Sequence, residues 1–294
     1  MTITERRGGG IVHEIAARRA ADLAAGGGRA PAFAGERATE PRPLLPALAR
    51  PGLHVIAEVK RRSPSSGDLG RDDDIVERAR AYERGGAAAI SVLCEPHWFD
   101  GSLDDLRAVR RAVRVPVLAK DFVVSVEQLS MLRAAGADVV LLLAVLHDAD
   151  ALAALVREAR SLGLEPFVEA HDAPELERAL STDARLIGIN NRDLNTLDVD
   201  VSRAEKLRAL VPDDRIVIAE SGITDPRQLI RLRALGFDAV LIGESLMRSG
   251  DPAAATAAFV SAGRVPHDVA AADRQAEVKI CGIVDEGGVR AAAV

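Results

Sequence analysis

Cysteine is nearly absent: Cys94 and Cys281 are the two in 294 residues. They allow no disulfide framework and no multi-cysteine metal cluster, and a reducing cytoplasmic setting is the expectation. Aromatic residues make up 3% of the chain, too few for the stacking platforms that hold single-stranded nucleic acid. Positive charge is not in excess: 38 Lys and Arg stand against 44 Asp and Glu, a net charge of -6. No electrostatic footprint for nucleic acid follows from that balance. Long apolar runs are missing too. The longest, Val139 to Leu146, is far short of the roughly 20 residues a membrane-spanning helix needs. Met1 to Gly10 is charged and then Gly-rich, without the apolar stretch of a secretion signal. No spacing of His, Asp and Glu suggests a metal cage.

What is present is a 48% hydrophobic chain of the length expected for one large α/β domain with small extensions. From about residue 54 to 262, apolar runs alternate with amphipathic stretches. The runs are His54–Lys60, Ala87–Cys94, Val115–Phe122, Asp138–Leu146, Glu165–Ala170, Leu186–Asn191, Arg215–Glu220 and Ala239–Gly243. Near-continuous apolar strands alternating with helices argue for a parallel sheet, and eight repeats close a (β/α)8 TIM barrel. Gly85-Gly86, Gly136 and Gly236 each stand where a helix ends before a strand, the position that needs a left-handed residue. An open doubly wound sheet would want a Gly-x-Gly-x-x-Gly turn after its first strand, and none is there. Ile11, Ile15, Ala16 and Leu23 mark an extra N-terminal amphipathic helix over 11–25. The Gly-, Pro- and Ala-rich stretch 26–50 reads as linker or loop. The expected organisation is an extension over 1–50, a barrel over 51–262 and a tail over 263–294.

Function in such a barrel sits at the C-terminal ends of the strands. Glu58 and Lys60 are two apart on one strand, so both point the same way. An inward charge pair is costly unless it serves a site. The first strand also delivers Ser63, the third Lys120 and then Asp121-Phe122, the fifth Glu169. The sixth offers Asn190, Asn191 and Arg192, the seventh Glu220-Ser221-Gly222, the eighth Gly243-Glu244-Ser245. One polar residue at a strand end means little, but six strands converging this way point to a pocket. Ser221-Gly222 and Gly243-Glu244 occupy the two loops where barrels hold phosphate on backbone N–H groups. A turn glycine alone would carry no such weight. Most lysines are solvated, yet Lys120 ends an apolar run. Burial there is expected to lower its pKa and suit it to proton donation. Glu169 follows Phe167-Val168, and a buried Lys with a buried Glu makes an acid/base pair. His147 and His171 read as loop or cap residues, and Cys94 as a small filler.

The strings AEVKRRSPSSG at 57–67, VLAKDFVV at 117–124, FVEAHD at 167–172, IGINNRDL at 187–194, AESGI at 219–223 and LIGESLM at 241–247 together resemble the indole-3-glycerol phosphate synthase family. The resemblance covers the barrel and the N-terminal helix. It implies ring closure of 1-(2-carboxyphenylamino)-1-deoxyribulose 5-phosphate with loss of CO2 and water, without cofactor or metal. Lys120 would protonate the ribulose carbonyl. Glu169 would act in the dehydration, as general acid or base, with Lys60 and Asn190 assisting. Glu58 would orient both lysines. Ser63 and Arg192 would meet the anthranilate carboxylate, while Phe122 and Leu93 line a slot for the aromatic ring. Glu220, Ser221, Gly222, Gly243 and Glu244 would surround the ribose and phosphate. The N-terminal helix would cap the mouth. The expected partner is a phosphorylated small molecule, with no nucleic acid or membrane, and the chain a monomer or weak homodimer.

Two positions depart from the family pattern. Cys94 stands where Thr is common, and Glu244 where a small Ser is frequent. A carboxylate would repel phosphate, so only the Glu244 backbone N–H is expected to face it. The tail holds Val278-Lys279-Ile280-Cys281-Gly282-Ile283, which resembles the first strand of phosphoribosylanthranilate isomerase. It reads as a truncated or remnant fusion, the alternative being an unrelated C-terminal extension; it is too short to bury its own apolar face, and no isomerase activity is expected from Cys281. Two rival readings are a Schiff-base aldolase barrel with Lys120 as nucleophile, and a silent barrel that scaffolds partners.

Overall fold

A closed ring of eight parallel strands carries the chain, with helices between successive strands. The computed structural model describes residues 10–26, 40–70, 74–193 and 196–264. The tail from 265, with Cys281, lies outside them. The strands are β1 His54–Val59, β2 Ala89–Leu93, β3 Val117–Lys120, β4 Val139–Leu143, β5 Glu165–Ala170, β6 Leu186–Asn190, β7 Ile216–Glu220 and β8 Ala239–Ile242. β1 closes the barrel by pairing with both β2 and β8. The fold is the (β/α)8 barrel with an added N-terminal helix, α1 (Ile11–Ala25).

The strand period of two sorts the apolar residues into two cores. Val55, Ala57, Ile90, Val92, Val140, Leu142, Val217 and Ala219 face outward and pack under the helices. Ile56, Ala89, Leu118, Val139, Leu141, Phe167, Leu186, Ile218, Ala239 and Leu241 fill the interior. This explains why the strands read as unbroken apolar runs: both faces are buried. Cys94 belongs to the outer core, its thiol donating to the Val92 carbonyl at 3.4 Å. Burial pushes that thiol up.

The helices α2 (Ile75–Arg84), α3 (Leu103–Ala112), α4 (Val126–Ala134), α5 (Ala149–Ser161) and α6 (Ala173–Leu180) are each capped by a side chain. Asp74, Ser102, Ser125, Asp148 and Asp172 accept first-turn N–H groups that would otherwise go unpaired. At the helix ends, Gly86, Gly136 and Gly236 have φ of 90°, 101° and 84°, a region L side chains avoid.

Both ends of the barrel are closed by segments before β1. Leu44 and Leu48, around a single turn at Leu45–Leu48, join the interior core. Of the stretch 26–50 read as linker or loop, the described part is packed against the barrel, because its leucines complete that core. Residues 27–39 lie outside the described set. At the other end α1 buries Val12, Ile15, Ala16 and Arg19. Leu23 is only half-buried. Arg19 clamps Asp121, just past β3, with Nε to Oδ1 at 3.0 Å and a second guanidinium nitrogen to Oδ2 at 2.5 Å.

Candidate active site

Above the apolar interior, the inward positions turn polar. Glu58 pairs in register with Ser91, Glu169 with Gly188, and Asn190 with Glu220. Glu58, Glu169, Asn190, Glu220 and Lys120 ring the floor of a cavity of about 550 Å³, a size suited to a small organic substrate. The cavity is lined by Glu58, Lys60, Ser63, Leu93, Lys120, Phe122, Glu169, Asn190, Arg192, Glu220, Ser221, Gly222, Gly243 and Glu244. These candidate site residues read from the sequence therefore reach one space, whereas Asn191 does not line it.

Lys120 is at the focus. Its ammonium lies 2.5 Å from Glu220 Oε2, 3.5 Å from Glu169 Oε2 and 3.8 Å from Glu58 Oε2. Burial alone would lower this lysine, as the sequence suggests, but the three carboxylates reverse the sign. Lys120 is raised above its ordinary range and is held as a cation. Lys120 is thus a fixed positive charge, not a lysine tuned toward neutrality. Glu58 is also subject to burial, which would raise it, yet the Lys60 and Lys120 ammoniums bring it down. Lys60 donates to Glu58 Oε1 at 2.8 Å, so one carboxylate bridges both lysines. Burial and the neighbouring Glu169 charge push Glu220 up to about 8, against the pull of Lys120.

Glu169 has a different surrounding. Burial opposes its charge, but Lys120, His171 and Asn190 together hold it far below the usual carboxylate range. Asn190 Nδ2 donates to Glu169 Oε1 at 2.8 Å, and Asn190 Oδ1 accepts the Arg192 N–H at 3.0 Å. Arg192 is in turn tied to the Leu197 carbonyl at 2.8 Å. Glu169 Oε2 and Glu220 Oε1 are buried and have no hydrogen-bond partner. Such atoms are rare in a settled interior.

The opposite rim is built from backbone. Ser221 and Gly222 have φ of 64° and 78°. Their carbonyls accept from Asn191 Nδ2 at 3.0 Å and Gln228 Nε2 at 3.1 Å. A trans peptide turned that way leaves the N–H groups of Gly222 and Ile223 on the other side, and both residues line the cavity. Gly243 is required for close approach: a Cβ there would meet Glu58 Oε1 at 2.5 Å and Lys60 Nζ at 2.9 Å. The Lys60 ammonium is therefore adjacent to this rim. The Glu244 carboxylate is occupied by Ser66 Oγ at 2.6 Å and Arg248 Nε at 3.1 Å. The Ser66 hydrogen bond and then Arg248 lower it against a smaller burial cost.

The apolar wall holds Leu93, Phe122 and Phe99. The two rings are 6.0 Å apart and tilted by 37°. Ile11, Val12 and Ile15 of α1 complete it. Ser63 sits in a two-residue hairpin with Gly67 and accepts the Ser66 N–H at 3.1 Å.

Sequence reasoning missed three neighbours. Arg248 was detectable as the residue four after Glu244 on one helical face. Phe99 and His171 carry no local signal of their place. His147 is a loop residue as read, its Nε2 2.9 Å from the Val123 carbonyl. His171 is not a mere cap: its ring lies 3.0 Å from Glu169 Oε1 and 2.8 Å from Glu175 Oε2. Among the described residues no group of three or more His, Cys, Asp or Glu is arranged to hold a metal ion. No described helix is long and apolar enough to cross a membrane.

Comparison with known proteins places this cavity in context. The family described as indole-3-glycerol phosphate synthase matches residues 12–259. The indole-3-glycerol phosphate synthase of Kineococcus radiotolerans is 53% identical over 215 residues, 73% of this chain and 78% of that protein. The one from Mycobacteroides abscessus is 46% identical over 258 residues, covering 87% and 93%. Among solved structures, 3-hexulose-6-phosphate synthase from Salmonella typhimurium superposes with a TM-score of 0.58 at 15% identity, over 73% of this chain and all of that one. At that identity the likeness speaks to fold alone.

Proposed function

The chain belongs to the indole-3-glycerol phosphate synthase family, and we propose that its cavity closes the indole ring of 1-(2-carboxyphenylamino)-1-deoxyribulose 5-phosphate. The activity is that of a carboxy-lyase of tryptophan biosynthesis. The single observation that carries the assignment of roles is the Lys120 ammonium held among Glu58, Glu169 and Glu220 at the cavity floor.

Ring closure needs the ribulose carbonyl polarised while the aromatic ring carbon attacks it. Lys120 meets the developing alkoxide with a proton and a preorganised positive charge. CO2 then leaves and the ring regains aromaticity. In dehydration, the hydroxyl formed from the carbonyl leaves as water on a proton from Lys60, and Glu169 takes the proton lost from the adjacent carbon. Asn190 holds Glu169 for that task, and Lys60 assists, aligned by Glu58. The two anionic ends anchor the substrate: Ser63 and Arg192 at the carboxylate, and the Ser221, Gly222, Gly243 and Glu244 backbone at the phosphate. Glu220 faces the ribose. The Lys60 charge beside Gly243 adds to the phosphate seat. The Glu244 side chain is neutralised by Arg248, so a carboxylate at this rim is tolerated. Leu93 and Phe122 hold the ring. Fixing both ends places the ring carbon against the carbonyl, which is where positioning lowers the barrier.

The same reading takes residues 51–262 as the catalytic barrel. It takes the chain as cytosolic, acting as a monomer or weak homodimer, and the tail from 263 as lacking isomerase activity. The test is indole fluorescence on mixing the purified chain with the carboxyphenylamino-deoxyribulose phosphate. Turnover, with a loss of at least about 10²-fold in Glu169→Gln, is the expected result. A folded chain that binds this substrate without turning it over would overturn the proposal.

A further inference from the structure

His171 follows β5, two residues beyond Glu169, and is buried, with 7% of its surface exposed. It does not line the cavity. Its Nδ1 lies 2.8 Å from Glu175 Oε2, and the same oxygen accepts the His171 backbone N–H at 2.8 Å. Glu175 is fixed in the first turn of α6, where its own N–H is taken by Asp172 at 2.8 Å. On the other side, Nε2 is 3.0 Å from Glu169 Oε1, close but off the line of a well-formed hydrogen bond. The imidazole thus stands between two carboxylates, one on each ring nitrogen. A neutral imidazole has one N–H and one lone pair. Its lone pair would face a carboxylate oxygen whichever tautomer it took. Only the imidazolium offers a proton to both.

We infer that His171 is a positioning residue for the proposed reaction: backed by Glu175, its imidazolium braces Glu169 and keeps it a carboxylate, ready to take a proton. The inference rests on the proposed role of Glu169, whose reacting oxygen Oε2 points to Lys120 at 3.5 Å. The charges facing the ring are Glu169 from β5 and Glu175 from α6. Lys120 lies beyond Glu169, and Asp172 is turned to the helix N-terminus. Arg178 of α6 is directed to the Ala144 carbonyl at 3.2 Å. Burial would lower the imidazole, but the two carboxylates lift it to about 9, which agrees with the geometry.

Glu169 and Glu220 thus have separate duties. Glu220 is pressed against Lys120 and loses its charge most readily. Glu169 is supported by a second cation and keeps its own. A base that must stay ionised while a lysine beside it gives up a proton needs such support, because the Lys120 charge disappears at that moment. His171 supplies a positive charge that does not.

Two measurements test this. The first needs no substrate and stands apart from the fate of the proposed function: the imidazole nitrogen chemical shifts of His171 in the folded wild-type chain at pH 7. Protonation on both nitrogens is expected, and a neutral ring with one protonated nitrogen would overturn the inference. The second is the pH profile of kcat/KM for His171→Asn and Glu175→Gln. Removing the imidazolium raises the pKa of Glu169, so the acid limb moves to higher pH. A kcat loss of about 10-fold or more with KM little changed is expected for His171→Asn, since general-base catalysis contributes about 10²–10⁴-fold and the variant keeps Glu169 itself. Glu175→Gln keeps an acceptor on Nδ1 and shifts the limb less, in the same direction. A folded His171→Asn variant with the wild-type acid limb would overturn the inference. If that variant does not fold, the nitrogen shifts decide it alone.

Discussion

Replacing Arg19 by Met removes a charge from α1 while keeping most of its apolar length. Asp121 is then left with its side chain fully buried and without its cation. Breaking a buried pair from one side costs roughly 3–5 kcal/mol, because the remaining charge is uncompensated. Asp121 keeps two donors, the Phe122 N–H at 2.9 Å and Gln128 Nε2 at 3.1 Å, so the loss falls at the lower end, about 3 kcal/mol. That corresponds to a roughly 10²-fold change in an opening equilibrium. Val12, Ile15 and Ala16 still pack, so α1 loosens locally before the barrel unfolds. The assay is amide exchange, comparing α1 with β3. Exchange in α1 speeds up about 10²-fold and β3 is unaffected. Because Ile11, Val12 and Ile15 line the cavity, KM rises with it. Adding Asp121→Asn removes the stranded charge and recovers at least about 1 kcal/mol in a double-mutant cycle. Equal exchange in wild type and Arg19→Met, or strictly additive single variants, would refute the claim that this pair docks the helix.

Other outcomes follow from the same geometry. Glu220 loses its proton as pH rises through about 8, and the added negative charge binds the Lys120 ammonium more tightly. Turnover therefore falls across that window, and Glu220→Gln abolishes the fall; an unchanged limb in the variant contradicts the assignment. Gly188→Ala places a Cβ against Glu220 Oε1 and 2.8 Å from Phe167 Cζ. Overpacking of about 1–3 kcal/mol in a urea titration is expected together with a loss of kcat, and a stable, fully active variant contradicts it. Ring closure forms no imine, so borohydride reduction in the presence of substrate leaves Lys120 unmodified by mass spectrometry. A reduced adduct on Lys120 would favour an aldolase instead.

Much of this site was legible because a strand has period two and a barrel gathers its chemistry at one end. Glu58 with Lys60, and Ser221-Gly222 with Gly243, could be placed by those rules alone. The charge state of Lys120 could not. Burial was visible in the run Val117-Leu118-Ala119, but the three carboxylates come from β1, β5 and β7, far away in sequence. Only the closed ring shows that they converge, and their sum reverses the sign of the shift. Leu44 and Leu48 were hidden among Pro and Ala residues, whose composition resembles a loop, although two leucines suffice to join the interior core. His171 read as a loop or cap residue because it stands between a strand and the helix that follows. Its contact with Glu169 depends on the turn after β5, which no periodicity reports. The Glu244 position was expected to present only backbone to the phosphate. The carboxylate is held by Ser66 and Arg248, a pairing that depends on the β1 hairpin reaching across to the eighth strand.

The most direct measurement is single-turnover indole formation by Lys120→Ala, with the substrate Kd measured separately. Lys120 as the group that stabilises the forming alkoxide predicts a Kd within a few-fold of wild type and indole formation slower by at least about 10²-fold. A variant that binds normally and forms indole at the wild-type rate would contradict the account at its centre.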